Sequence, residues 1–328
     1  MRQVRIVGTG KYLPQTKVTS SMVAARFGLD ASQVEERSGI KSRHRVKGET
    51  ASEMAALAAQ EALSAAGLKI TDIDCIVCTS GCPEQSFPCT ASLVQNRLGA
   101  GDSGIPAFDI NASCLSFLTG LDTLSYMIEA SRYRRVLLIA SEVCTGVNWD
   151  DYETGTLFGD GAAAAVVQKC QPDDTSAILA SRMETYGKGA ALSQCLAGGN
   201  KYLLEEYKSD PTSFLFTMDG KGLYKMAAQM LPGLVQQLLS DSKLTVNDID
   251  LVIPHQASLS ALELTRRNLG FTQAKWMNIL ENHGNTIAAS IPMALHEAIV
   301  QKKLMRGQLA LLLGTAAGFS VGGLLFRY

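Results

Sequence analysis

The sequence predicts an α/β fold made of two related halves. Three observations carry this reading. Apolar, β-branched runs of strand length alternate with Ala- and Leu-rich stretches of helical length. The order of these elements occurs twice. And the same tripeptide opens both series: residues 71–81 read TDIDCIVCTSG and residues 247–257 read NDIDLVIPHQA.

Each of these segments follows an Ala/Leu/Met-rich helical stretch, MAALAAQEALSAAG from Met54 and MAAQMLPGLVQQLL from Met226. The next strands are AFDI at 107–110 and WMNI at 276–279. A long helical stretch follows each, LSFLTGLDTLSYMIEA in the first half and ENHGNTIAASIPMALHEAIV in the second. Then RRVLLIASE (134–142) corresponds to GQLALLLGT (307–315), and FGDGAAAAVV (158–167) to GFSVGGLLFR (318–327). Each half reads helix, strand, strand, helix, strand, strand. The repeat is far longer than the 20–50 residues of a solenoid unit. The apolar strands imply sheets covered by helices. A duplicated fold places its chemistry in loops at strand ends where the halves meet.

Composition narrows the function classes. The chain has 328 residues, 46% hydrophobic and 19% charged, with a formal net charge of -1. Such a chain is globular and large enough for a sizeable core. Near-zero charge without like-charge runs argues against nucleic-acid binding through phosphates. No apolar stretch is long enough to predict a membrane span, and MRQVRIVGTGKYLP does not read as a signal peptide. Eight cysteines, several in apolar runs, suit reduced thiols in a cytoplasm.

Three residues in the predicted loops can carry chemistry. Cys114 follows the AFDI strand and precedes a long helix. That position predicts a thiol whose pKa is lowered by the helix N-terminus; the alternative is a small buried apolar residue. His255 ends the strand LVIP, where it can act as a base or a hydrogen-bond donor, or be a satisfied core residue. Asn285 lies in His283-Gly284-Asn285-Thr286, where its amide can serve an oxyanion or cap a helix. His283 reads either as support for that turn or as an ordinary turn residue.

AFDINASCLSF, FGDGAAAAVV, IPHQA, HGNTIAAS and GFSVGG together resemble the β-ketoacyl-ACP synthase III family of the thiolase superfamily. The match runs from VGTGKYLP to the C-terminal strand. The resemblance implies a thiolase-like duplicated five-layer α/β/α/β/α fold. Residues 1–170 would form the half carrying Cys114, and 171–328 the half carrying His255 and Asn285. It implies an acyltransferase performing decarboxylative Claisen condensation of an acyl thioester with malonyl-ACP, through an acyl-Cys114 intermediate. His255 and Asn285 would hydrogen-bond the enolate, and the backbone N–H groups of Cys114 and Ala317 would form the oxyanion hole. Arg37, Phe87, Phe158, Met218, Gly220 and Ala257 fall at substrate-binding positions. Phe87, in GCPEQSFPC, would close the partner's acyl pocket across a homodimer. Coenzyme A (CoA) or ACP thioesters are substrates, and no cofactor or metal is implied.

Departures from the family pattern concern the substrate mouth. Gln33 stands where many members carry an adenine-stacking Trp, and Thr154 stands where they carry Arg. The usual HQANLR reads His255-Gln256-Ala257-Ser258-Leu259-Ser260. Losing phosphate-binding arginines weakens CoA recognition. This predicts a longer acyl chain, an ACP-borne donor or a secondary pathway, divergent from the acetyl-CoA-primed type. Arg266 and Arg267 are candidates for an acidic carrier-protein surface, or simply a solvated helix face.

Other readings are weaker. Cys75, Cys78, Cys82 and Cys89 have a metal-like spacing, but Cys75 and Cys78 point to opposite faces of one strand. A thiol hydrolase lacks its cysteine signature here. An inactive heterodimer subunit would not keep Cys114, His255 and Asn285 together. Related superfamily chemistry, acyl transfer to oxygen or nitrogen or a non-decarboxylative condensation, remains the main alternative. The latter needs a base, for which Glu84 is the candidate.

Overall fold

The computed structural model describes residues 1–201 and 204–328. Its strand runs are apolar without alternation because both faces of each sheet are covered. In the strand Arg135–Glu142, Val136, Leu138 and Ala140 enter one core while Leu137 and Ile139 enter another. In the strand Leu309–Ala316, Ala310 and Leu312 join that first core while Leu311 and Leu313 face a third.

Two sheets result. The first has five strands, in the order Val4–Tyr12, Gly161–Lys169, Arg135–Glu142, Cys75–Cys78, Ala107–Asp109. The second has four, in the order Leu251–Pro254, Leu309–Ala316, Ser320–Arg327, Ala177–Thr185. In both, "DID" leads into a strand that pairs in parallel with the strand after the long helix. An antiparallel partner follows in each.

Helices Ser116–Glu129 and Ser290–Val300 lie between the sheets, in the core shared by Val77, Leu138, Ile253 and Leu312. Helix Ala51–Ala66 covers the outer face of the first sheet, and Gly220–Asp241 with Leu259–Asn268 covers that of the second. The layers run α/β/α/β/α, the thiolase-type fold. Cys75 and Cys78 enter different cores, on opposite faces of one strand. No helix among the described residues is long and apolar enough to cross a membrane.

WMNI departs from expectation. It forms no strand, only a bridge between Trp276 and Val252. The Gln256 side chain takes the place of a sheet edge here. Its Oε1 accepts from Ile279 N–H at 2.9 Å and its Nε2 donates to Met277 O at 3.2 Å. A fully buried amide that satisfies two backbone groups removes the need for a ladder. It also fixes the residue that follows His255.

Candidate active site

The nucleophile candidate sits on a strained turn. Ser113 has φ +52°, the left-handed region that non-glycine residues rarely enter. Asn111 holds the turn: its Oδ1 accepts from Ser113 N–H at 2.9 Å and its Nδ2 donates to Gly81 O at 3.0 Å. Ser116 Oγ closes it by donating to Ser113 O at 2.6 Å. Cys114 is left partly open at one end of helix Ser116–Glu129.

Position at a helix start predicts a lowered thiol pKa, and the opposite holds. Burial pushes the Cys114 thiol up to about 12, and the nearby Glu142 carboxyl adds to the rise. The N–H groups of Ala317 and of Cys114 itself point at the sulfur and pull the other way. Desolvation beats the dipole because apolar walls surround the sulfur.

His255 is held by two contacts. Its backbone N–H donates to Leu313 O at 2.8 Å, and its Nδ1 lies 2.6 Å from Ser290 Oγ. That hydroxyl also accepts from Gln256 N–H at 3.3 Å. When Ser290 gives its single hydroxyl proton to Nδ1, the ring proton sits on Nε2. Burial pushes His255 down to about 4, so it is neutral at physiological pH.

Asn285 comes from a turn locked into the first half. Its N–H donates to Leu157 O at 2.9 Å, and its carbonyl accepts from Gly159 N–H at 3.1 Å. Gly284, at φ +67°, makes this approach possible: a Cβ there would lie 2.7 Å from Leu157 O. The Asn285 Oδ1 accepts from Ile287 N–H at 2.9 Å, and its Nδ2 donates one proton to Ala257 O at 3.3 Å. One amide proton remains to donate. His283 supports the turn from behind, with Nδ1 2.9 Å from Ile279 O and Nε2 3.3 Å from Lys11 Nζ.

Cys114, His255 and Asn285 line one cavity of about 970 Å³, together with Ala317, Phe158, Met218, Gly220 and Ala257. This is near the top of the range of about 300–1,000 Å³ for small-molecule sites. Five sequence candidates lie elsewhere. Arg37 pairs with Glu153 at 3.3 Å and stacks on Tyr152 at the surface. Phe87 is 88% exposed in this single chain. Arg266 is engaged by Glu263 at 2.8 Å, and Arg267 projects into solvent. Glu84 is no base for this cavity: it accepts from Ser52 N–H at 2.6 Å, at the start of helix Ala51–Ala66.

Sequence reasoning missed Ser290 and Glu142. Glu142 is fully buried, accepts from the N–H groups of Gly81 and Cys82, and is met by Ala288 N–H and the Cys82 thiol. It joins the Gly81–Cys89 loop to the turn after Asn285, directly behind Cys114. Burial pushes it up to about 8 against those hydrogen bonds.

Comparison with known proteins shows the family. A family model described as 3-oxoacyl-[acyl-carrier-protein (ACP)] synthase III matches residues 108–187, and its C-terminal counterpart matches 239–328. β-Ketoacyl-[acyl-carrier-protein] synthase III of Vesicomyosocius okutanii is 36% identical, over 99% of this chain and 98% of that one. The chain belongs to the β-ketoacyl-ACP synthase III family. The synthase III of Neisseria meningitidis is also 36% identical, over 100% of both chains. The crystal structure of 3-oxoacyl-[acyl-carrier-protein] synthase III from Aquifex aeolicus superposes with a TM-score of 0.89 at 35% identity, covering 99% of this chain and 100% of that one. As a synthase III, this chain is an enzyme of β-ketoacyl formation in fatty acid biosynthesis, a transferase of the thiolase fold.

Two predictions follow from the buried groups. Thiolate on Cys114 grows with pH, so on a reading in which Cys114 is acylated the rate of loading rises between about pH 6 and about pH 8. Above that, the charge on Glu142 opposes thiolate and the rise flattens; Glu142→Gln removes the flattening. On a reading in which His255 serves decarboxylation, release of CO₂ stays flat over the same range, because burial already keeps His255 neutral. Stopped-flow loading and single-turnover CO₂ assays read the two limbs. Ser290→Ala lowers CO₂ release about tenfold, the effect of about 1.4 kcal/mol from one lost hydrogen bond, while loading changes less than about twofold.

Proposed function

We propose that this synthase III loads an acyl group onto Cys114 and condenses it with malonyl-ACP by decarboxylation. The observation that carries this reading is one cavity lined by the Cys114 thiol, a neutral imidazole and an amide, with no carboxylate among its described lining residues. Such donors suit an enolate, which needs stabilisation rather than proton removal.

In the first step Cys114 Sγ attacks the donor thioester carbonyl. The N–H groups of Cys114 and Ala317 hold the developing oxyanion. The S–C bond of the donor breaks, and the thiol proton leaves with the departing CoA or ACP thiol. In the second step the malonyl thioester carbonyl accepts from His255 Nε2–H and the free Asn285 amide proton. The bond to its carboxylate breaks and CO₂ leaves. The electron pair forms the enolate, which attacks the acyl carbonyl on Cys114. The thiolate is expelled and takes up a proton.

The same reading assigns the nucleophile to a half of residues 1–170 and the decarboxylating pair to a half of residues 171–328. A homodimer is supported by the open edge strand Ala107–Asp109 and by exposed Phe87, both in the first half. An edge strand of this kind pairs readily with a second copy. The mouth favours a carrier-borne or longer donor. Gln33 caps its own helix by accepting from Asp30 N–H at 3.0 Å, and Thr154 is buried against Asp151 at 2.8 Å. Neither is placed to bind a nucleotide. Arg267 is the exposed cation of the pair proposed for the carrier protein. Beyond its thioester substrates the enzyme needs no cofactor, and reduced thiols fit a cytoplasmic site.

Steady-state assays with carboxyl-labelled malonyl-ACP test this. Labelled CO₂ and a β-ketoacyl product form, and octanoyl-ACP or octanoyl-CoA outperforms acetyl-CoA. A clear preference for acetyl-CoA contradicts the donor assignment. Thioester hydrolysis without CO₂ contradicts the reaction.

A further inference from the structure

A buried charge without a counter-ion lies behind the cavity wall. Arg43, on the strand Ser42–Arg45, is fully buried. Its Nη2 donates to Thr156 O at 2.5 Å, while its Nε and Nη1 have no hydrogen-bond partner. No carboxylate among the described residues offsets its charge. Asp160 is taken by Arg45 at 3.3 Å and by the N–H groups of Cys144 and Val46. Burial pulls the Arg43 guanidinium down to about 10, and Arg45 adds to the fall. It is still charged at neutral pH.

Packing puts this side chain against both sides of the Asn285 clamp. Leu157 O and Gly159 N–H hold Asn285. Arg43 takes the carbonyl just before that pair, at Thr156. A Cβ added at Gly159 would lie 3.1 Å from Arg43 Cβ, and one at Gly284 would lie 3.4 Å from it. Leu157, Phe158 and Asn285 line the cavity, and Arg43 does not. Two histidines complete the titratable surroundings. His44 turns its Nδ1 to Pro14 O, and His283, whose carbonyl packs at Gly159, is kept neutral by burial.

Support of the fold does not account for the charge. Thr156 O needs only a neutral donor, and the space beside the two glycines needs only apolar volume. A desolvated cation without a counter-ion costs free energy. A negative charge that arrives during function explains such a group. Decarboxylation delivers one: the electron pair of the breaking bond moves onto the thioester carbonyl oxygen, which the Asn285 amide faces. A fixed cation acts more strongly on that oxygen through a desolvated interior than through water.

We propose that Arg43 is a positioning residue for decarboxylation: it braces the Asn285 turn and supplies, from behind it, the positive charge against which the enolate forms. The assignment rests on the decarboxylative reading above. The balance of that step is unchanged. The bond from the α-carbon to the carboxylate breaks, CO₂ leaves, and Arg43 neither gives nor takes a proton.

Single-turnover CO₂ release from malonyl-ACP, counted per acylated Cys114 in octanoyl-loaded enzyme, tests this. Arg43→Gln keeps a donor for Thr156 O and removes the charge, whereas Arg43→Lys keeps the charge. The Gln variant releases CO₂ at least about tenfold more slowly, while its half-saturation by malonyl-ACP and its loading rate stay within about threefold of the unmodified enzyme. The Lys variant recovers CO₂ release to within about threefold. A Gln variant at the unmodified rate, or a Lys variant as slow as the Gln variant, overturns the assignment. So does a Gln variant whose loading falls in step with its CO₂ release, which marks a support of the fold alone. Unmodified enzyme that loads Cys114 and releases no CO₂ overturns the decarboxylative reading, and this assignment with it.

Discussion

Desolvation at the seam between the two sheets is the constraint on which this site depends. It pushes the Cys114 thiol up to about 12 and His255 down to about 4, so both are neutral when substrate arrives. A cationic histidine would protonate rather than stabilise an enolate, and a free thiolate would react before the right thioester was seated. Neutral groups in an apolar cavity acquire their power only when the reacting carbonyl is placed against the N–H donors. The duplicated fold supplies those donors from both halves. Cys114 sits above the first sheet, while His255, Asn285 and Ala317 come from the second half.

Supporting contacts hold that geometry. The strained turn at Ser113 is fixed by Asn111 and Ser116. The Asn285 turn is threaded against Leu157 and Gly159. Glu142 ties the Gly81–Cys89 loop close to Cys114. The Asn285 and Glu142 clamps span distant parts of the chain, so these side chains are held by the folded structure rather than by free loops.

The sequence made legible whatever is local. Two series of strands and helices, and the strand-end positions of Cys114, His255 and Asn285, follow from pattern and motif, and the folded chain brings these three residues into one cavity. What was not legible depends on packing. A helix-start position argued for an acidic thiol, but the walls that desolvate Cys114 come from other elements. WMNI carries the composition of a strand, yet the Gln256 side chain takes up its backbone groups. Ser290, although it closes the HGNTIAAS motif, and Glu142 make their contacts only after folding, and nothing in the sequence marked those contacts. Glu84 had its charge in its favour as a base, and packing set it at the start of helix Ala51–Ala66, outside the cavity.

The division of labour between the halves is tested most directly by peptide-mapped mass spectrometry of the loaded enzyme. After incubation with octanoyl-ACP, the peptide carrying Cys114 gains one octanoyl group in both the unmodified enzyme and His255→Ala. Added malonyl-ACP then clears the group from the unmodified enzyme and leaves it on His255→Ala. An acyl group found instead on Cys82 or Cys195, or clearance from the His255 variant at the unmodified rate, would contradict the account.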